Sequence, residues 1–166
     1  MPEPRAAGAG CALAACGQPD RRQPLVCAVI AAGFTSLMHL VVATGPLTVT
    51  ATLPGTPASV SIARRLVREA LPDCPRADDL MLAVTELTTN TVAHSASGQG
   101  GSFTVRLRTA PRWARIEVTD DGPAAGEPGQ SNGWGLAIVS DITDRATTVI
   151  QPRGCRTAWC EVSWPA

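Results

Sequence analysis

Glu86-Leu87-Thr88-Thr89-Asn90 is the stretch of the chain that decides its fold. On an α-helix, the carboxylate and the carboxamide, four residues apart, share one face. Downstream, Asp120-Asp121-Gly122 and Gly133-Trp134-Gly135-Leu136 contain glycines whose backbone amides can approach an anion. The three stretches together indicate a site for a nucleotide and magnesium.

The composition excludes several other kinds of site. All 14 basic residues are arginine, so a Walker-type phosphate loop and Schiff-base catalysis, which both need a lysine, are ruled out. The 14 acidic residues balance the arginines, which leaves no basic footprint for nucleic acid. The six cysteines form no Cys-x-x-Cys pair and only two histidines are present, so zinc-binding spacing is absent. A protein or a small molecule is the expected partner.

The first 46 residues differ from the rest of the chain. Their beginning is rich in Ala, Gly, Pro and Arg without periodicity, which predicts a disordered or dispensable extension. Residues 25–45 then form an uncharged apolar run. Three interpretations remain open: a membrane anchor, a cleaved export signal, or translation upstream of a true start at Met38. We expect a cytoplasmic protein, with membrane tethering through residues 25–45 as the alternative.

Residues 47–166 have the patterns of one folded domain. Helices and antiparallel strand pairs segregate along the sequence, which predicts an α+β fold. The expected architecture is a two-layer α/β sandwich, with a mixed, mostly antiparallel sheet and helices on one face. Alternating and helical periodicities predict a strand at 47–53, helices at 57–71 and from about 80 to 94, a hairpin of 103–109 and 113–119, a mobile loop at 122–134, a helix at 135–142, and strands at 145–151 and 155–163.

Each candidate site residue has a chemical role and a simpler alternative. Asn90 can give magnesium one oxygen, and Glu86, one turn earlier, can accept a proton near a γ-phosphate. Asp120 can accept a hydrogen bond from the amine of a purine, with Gly122 letting the base approach. The glycines around Trp134 precede a helix N-terminus that would favour phosphate. Taken singly, the same residues are typical of a solvated helix face and of turns.

The order of these motifs resembles the ATPase domain shared by gyrase, Hsp90, histidine kinases and the MutL proteins, which has the Bergerat fold. It is most similar to the small bacterial branch of anti-sigma-factor serine/threonine kinases. Residues 86–94 resemble the N box, 120–123 the first glycine box, 133–139 the second, and 154–162 the closing Gly-x-x-Thr-x-Trp-x-Glu strand. The resemblance covers residues 47–164.

The resemblance implies an ATP- and magnesium-dependent protein kinase. Its residue roles fall on matching positions: Glu86 as the catalytic base, Asn90 on magnesium, Asp120 on the adenine amine, Gly122 under the base, Gly133, Gly135 and Leu136 in the phosphate lid, and Thr157 supporting the adenine contact. The implied partners are an anti-anti-sigma-type antagonist, which would be phosphorylated, and a sigma factor. A homodimer is compatible with this branch.

Two positions depart from the family pattern. Ala124 replaces the second glycine of the first glycine box, and Trp134 stands where this branch often has arginine. A cation near the phosphates is therefore missing, unless Arg153 or Arg156 supplies it. The alternative function is a nucleotide-gated partner-binding module without significant kinase activity, because phosphoryl transfer depends more strongly than binding on positioned charge.

Overall fold

Strands of one sheet and helices on one of its faces form two layers. The computed structural model describes residues 26–28, 38–41, 47–124 and 134–166. The elements, in chain order, are β1 (Val26–Ala28), β2 (Met38–Val41), β3 (Thr48–Pro54), α1 (Pro57–Ala70), α2 (Ala77–His94), a short 3-10 helix (Ala96–Gly98), β4 (Ser102–Ala110), β5 (Trp113–Asp120), α3 (Trp134–Ile142), β6 (Arg145–Ile150) and β7 (Arg156–Ser163).

The core lies between the helices and alternate residues of the central strands. In β5 every second residue is buried, from Ala114 to Asp120, and β3 and β4 show the same alternation. These inward side chains pack against the apolar stripes of the helices. Contributors from the helix layer include Ala63, Leu66 and Val67 of α1, Leu80, Ala83, Val84 and Leu87 of α2, and Val139 of α3.

Local sequence signals explain where the helices begin and how they are held. Thr56 is the extended N-cap residue of α1 and Pro57 occupies the first turn, as the sequence predicts. At the start of α2, Arg76 donates from Nη2 to the carbonyl oxygen of Ile142 at 2.8 Å and from Nη1 to Asp144 at 3.3 Å. One arginine therefore ties the beginning of α2 to the end of α3.

The sheet has the order β1-β2-β3-β4-β5-β7-β6. The predicted α+β sandwich is confirmed, but the sheet is not mixed over the part of the chain described, where every strand pairing is antiparallel. The predicted loop is described only to residue 124, and residues 125–133 lie outside the described part.

The N-terminal segment contributes to the sheet at two places. Met38–Val41 pairs with β3, and Val26–Ala28 pairs with Met38–Val41. The sheet therefore extends past the expected boundary at residue 46, although the expected disorder of residues 1–25 lies outside the described residues. Among the helices that are described, none is long and apolar enough to cross a membrane.

Candidate functional site

The C-terminal half of α2 presents Glu86 and Asn90 on one face, as predicted. Both side chains are half-buried, and neither hydrogen-bonds to any residue in the described part of the chain. The start of α3 lies directly against them. A Cβ at Gly135 would stand 2.9 Å from Oε2 of Glu86 and 3.0 Å from Nδ2 of Asn90. Only a glycine lets the α3 backbone come this close without moving the two polar groups.

Asp120, at the end of β5, is buried and held by two elements. The hydroxyl of Thr91 donates to its Oδ2 at 3.0 Å, and the backbone N–H of Gly122 donates to its Oδ1 at 2.9 Å. Thr91 follows Asn90 on α2. The hydrogen bond therefore links the residue next to the predicted magnesium residue to the predicted base-reading carboxylate.

Arg156 is the site residue whose position the sequence does not predict correctly. It lies opposite Asp120 in the β5–β7 pairing, and its Nε and Nη2 donate to Oδ2 of Asp120 at 3.1 and 2.8 Å. Arg156 therefore binds the carboxylate of Asp120 in this structure, whereas the sequence suggested Arg153 or Arg156 as a substitute cation near the phosphates. Strand alternation could have revealed this, because Arg156 shares its face with the buried Cys160 and Val162.

The same alternation determines on which face of the sheet Thr157 lies. This residue lies opposite Thr119 in the register, and the two hydroxyl oxygens are 3.0 Å apart. Adjacent residues of a strand point to opposite faces of the sheet, and Asp120 points to the helix side. Thr157 is thus on the face of the sheet opposite to that of Asp120.

Backbone contacts fix the segment after β5 against the end of α2. Gly122 has φ of +83°, and a Cβ there would stand 2.1 Å from the carbonyl oxygen of Gly154. Gly122 also accepts a hydrogen bond from the N–H of Ala96 at 2.9 Å, and Ala124 donates to the carbonyl of His94 at 3.3 Å. The close approach between Gly122 and the turn before β7 explains why this position needs glycine.

The remaining predicted residues are placed only in part. Gly133 lies outside the described residues, and Leu136 is 37% exposed at the start of α3. Leu136 lines a cavity of about 220 Å³ between α3 and strands β6 and β7, together with Leu87 and Val139. Glu86, Asn90 and Asp120 do not line this cavity. Leu136 thus lines this cavity, while its neighbour Gly135 lies against Glu86 and Asn90.

The donor set fits a magnesium ion that is carried largely by a nucleotide. The described residues contain no cluster of three or more His, Cys, Asp or Glu side chains that could hold a metal by themselves. Magnesium commonly takes only one or two protein oxygens and receives the others from phosphates and water. Asn90 offers one carboxamide oxygen, and Glu86 lies beside it, so the site matches this mode of binding.

These features define a class of protein. Residues 50–157 match the family described as the histidine kinase-like ATPase domain. Because this match spans more than half of the chain, the protein belongs to that family.

A solved structure supports the same assignment. The crystal structure of the RsbU and RsbW domains of Rv1364c from Mycobacterium tuberculosis matches with a TM-score of 0.56 and 27% sequence identity. The match covers 74% of this chain and 34% of that one, so the protein spans about a third of the length of that relative. A comparison with curated proteins finds no significant match.

Proposed function

We propose that the protein is an ATP- and magnesium-binding serine/threonine kinase of the anti-sigma-factor type, acting in the cytoplasm. Its substrate would be a small antagonist of the anti-anti-sigma type, and a sigma factor would be a further partner. The observation that carries the proposal is the contact of Gly135 with Glu86 and Asn90. It brings the second glycine motif to the N-box pair, although the two are more than forty residues apart in sequence.

The roles follow from position and chemistry. Asn90 would contribute an oxygen to magnesium, which supplies positive charge to the phosphates when it is bound. Glu86 would accept the proton of a serine or threonine hydroxyl of the partner as that oxygen bonds to the γ-phosphorus and the bond to the ADP oxygen breaks. Asp120 would accept a hydrogen bond from the adenine amine, and Gly122 would leave space for the base.

The proposed partners rest on family resemblance and on the matched structure. That structure contains an RsbU domain and an RsbW domain of one protein, which supports a partner protein for a domain of this fold. The net charge of zero and the absence of a basic footprint favour a protein partner over nucleic acid. The genes adjacent to this one are therefore the first place to look for the antagonist and the sigma factor.

One observation favours a second function, a nucleotide-gated binding module with little phosphoryl transfer. Trp134 occupies the position that is often arginine in the kinase branch, and Arg156 is bound to Asp120. Trp134 has no charge and Arg156 is held by Asp120, so Arg153 is the remaining candidate for a cation near the phosphates. Binding can persist without that charge, but transfer is expected to be slower because its transition state depends on electrostatic stabilisation.

Nucleotide binding is tested by thermal unfolding with ATP and magnesium. A ligand that binds the native state raises the melting temperature. We expect a rise for the wild type, a loss of its magnesium-dependent part in Asn90→Ala, and a loss of the whole rise in Asp120→Asn. Thr89→Ala, on an exposed residue of the same helix, is the matched control and should respond like the wild type. Absence of any rise in the wild type would contradict the proposal.

Kinase activity is tested by transfer of label from γ-labelled ATP to the antagonist encoded nearby. Glu86→Gln keeps the shape of the side chain but removes the base, so transfer should stop while the ATP-induced rise in melting temperature remains. Glu69→Gln, an exposed glutamate on α1, is the control. If wild type binds ATP but transfers no label to the antagonist, the binding-module function replaces the kinase.

A further inference from the structure

The carboxylate of Asp120 is almost fully used by the protein itself. A carboxylate offers about four acceptor positions. Oδ2 of Asp120 receives three hydrogen bonds, one from the hydroxyl of Thr91 and two from the guanidinium of Arg156. Oδ1 receives one from the N–H of Gly122. A purine amine that approached Oδ2 would compete with donors that are already in place, whereas Oδ1 keeps one acceptor position.

The exposed fractions of the side chains show which of these donors lies between the carboxylate and the solvent. The Asp120 side chain is 2% exposed, and the Arg156 side chain is 19% exposed. The guanidinium is therefore the outer member of the pair. Thr91 and Gly122 belong to the elements that fix Asp120, namely α2 and the segment after β5, whereas Arg156 reaches it from β7 with a long and adaptable side chain.

The pair also changes the chemistry of the position. A free aspartate presents a negative charge that accepts a hydrogen bond from an amine. The Arg156–Asp120 pair is neutral as a unit, and its outer group only donates hydrogen bonds. Hydrogen bonds between two charged partners are stronger than those with a neutral amine. An adenine amine is therefore a weaker partner for Asp120 than Arg156 is.

We propose that Arg156 is an internal competitor of the purine base and sets the strength of nucleotide binding. The inference rests on the proposed function, because it assumes that Asp120 reads the adenine amine. In this account, the base reaches Asp120 only after the guanidinium has left Oδ2. The apparent dissociation constant then exceeds the intrinsic one by the inverse of the fraction of molecules in which Arg156 is displaced.

The competitor acts on the base, so its effect is independent of the phosphates. Removing Arg156 should strengthen the binding of adenosine and of ADP by the same factor. A cation that served the phosphates would behave in the opposite way, since its removal would weaken ADP and leave adenosine unchanged. An arginine that donated to the ring of the base would weaken both ligands when removed. The direction and the ligand dependence of the change therefore identify the role.

The experiment measures dissociation constants of adenosine and magnesium-ADP by calorimetry for wild type, Arg156→Gln and Arg156→Lys. Arg64→Gln, an exposed arginine on α1, carries the same substitution as a control. We expect Arg156→Gln to bind both ligands about tenfold more tightly, which corresponds to a displaced fraction of about one tenth in wild type. The dissociation constants of Arg156→Lys should lie between those of wild type and Arg156→Gln, since one ammonium replaces two donors. If the glutamine variant is unfolded, the lysine variant serves as the test.

Three results have distinct meanings. If the Arg156 variants bind adenosine and ADP more tightly by the same factor, and Arg64→Gln binds them as the wild type does, the result supports Arg156 as a competitor. Unchanged or weaker binding in the Arg156 variants, while wild type binds ADP, overturns the competitor and leaves the proposed function standing. Failure of the wild type and of every folded Arg156 variant to bind either ligand overturns the proposed function, and the competitor with it.

Discussion

The hydroxyl of Thr91 donates a 3.0 Å hydrogen bond to Oδ2 of Asp120, and both side chains are buried. Thr91 is the next residue after Asn90 on α2, and Asp120 ends β5. The bond therefore ties the helix that carries the proposed magnesium residue to the strand end that carries the proposed base-reading carboxylate. It also satisfies a buried carboxylate that would otherwise depend on Arg156 and Gly122.

Replacing Thr91 by valine tests this connection. Valine keeps the branched shape but cannot donate, so Thr91→Val should lower the free energy of unfolding by about 1–2 kcal/mol, the usual cost of leaving a buried acceptor with one partner fewer. Denaturant unfolding gives the measurement. Thr89→Val, on the exposed side of the same helix, is the matched control, with an expected change below about 0.5 kcal/mol. Equal effects in the two variants would show that the bond to Asp120 does not stabilise the fold.

The contact between Gly122 and Gly154 supports a second prediction. In Gly122→Ala the new methyl group would meet a backbone carbonyl at 2.1 Å and would also hold a positive φ of 83°. The backbone carbonyl cannot move aside as a flexible side chain can. We therefore expect the free energy of unfolding to fall by at least about 3 kcal/mol, from conformational strain and overpacking together.

Gly100→Ala separates the two causes of that loss. Gly100 has a similar φ of +95°, but a Cβ there has no atom within 4 Å. This variant should lose only the conformational part, about 1 kcal/mol. Comparable losses in the two variants, measured by denaturant unfolding, would contradict the importance of the Gly154 contact.

A third prediction concerns Gly135, where the groups in the way are side-chain ends. In Gly135→Ala, Oε2 of Glu86 and Nδ2 of Asn90 must move by a few tenths of an ångström. Because alanine favours the helix over glycine by about 1 kcal/mol, stability should be unchanged or slightly higher. Binding of magnesium-ATP should weaken about tenfold, since small displacements of positioning groups are costly.

A double-variant cycle checks the cause of that weakening. Glu86→Ala creates space next to residue 135, so the combined Glu86→Ala/Gly135→Ala variant should bind better than the sum of the two single effects predicts. Calorimetry with magnesium-ATP gives the four dissociation constants. Strict additivity would indicate that Gly135 does not act through Glu86.

The sequence predicted most of this fold because the periodicities are strong and local. The alternating runs at β4 and β5 and the apolar stripe of α2 were sufficient to give the elements within one to three residues. The two strands before residue 47 were not predicted, since short strands in an apolar and glycine-containing run have no distinctive period. The antiparallel register of the last strands was not predicted either, because pairing between distant segments leaves no local signal.

In the candidate site, the relation between residues on one helix could be predicted from the sequence, whereas the relation between residues on paired strands could not. Glu86 and Asn90 share a face because helical geometry fixes their relation. The motif match draws attention to Thr157 on the last strand, whereas the register puts Arg156 opposite Asp120. A shift of one residue moves a side chain to the opposite face of a sheet. Motif matching alone does not detect such a shift. The alternation of β7 does, because Arg156 is an even number of residues away from Cys160 and Val162 and therefore lies on the same face of the sheet.

The last prediction uses Asp144, which follows α3 and faces the end of β7. The hydroxyl and the backbone N–H of Ser163, each at 2.6 Å, and then Arg76 lower the pKa of Asp144 from its ordinary value of 3.8. A carboxyl with a lowered pKa in the folded state stabilises the fold above the pKa of the unfolded chain. That stabilisation disappears as the pH falls through the lower folded value.

Asp144→Asn should therefore lower the free energy of unfolding at pH 7 by about 0.5–1 kcal/mol, a modest amount because the side chain is 40% exposed. The difference from wild type should persist down to about pH 4 and shrink below it, as the wild-type carboxyl becomes protonated. Denaturant unfolding between pH 7 and pH 3 measures it. Asp73→Asn, an exposed aspartate between α1 and α2, is the control and should leave the pH dependence unchanged. A difference that stays constant across this range would show that the stabilisation does not come from the ionised Asp144 carboxylate.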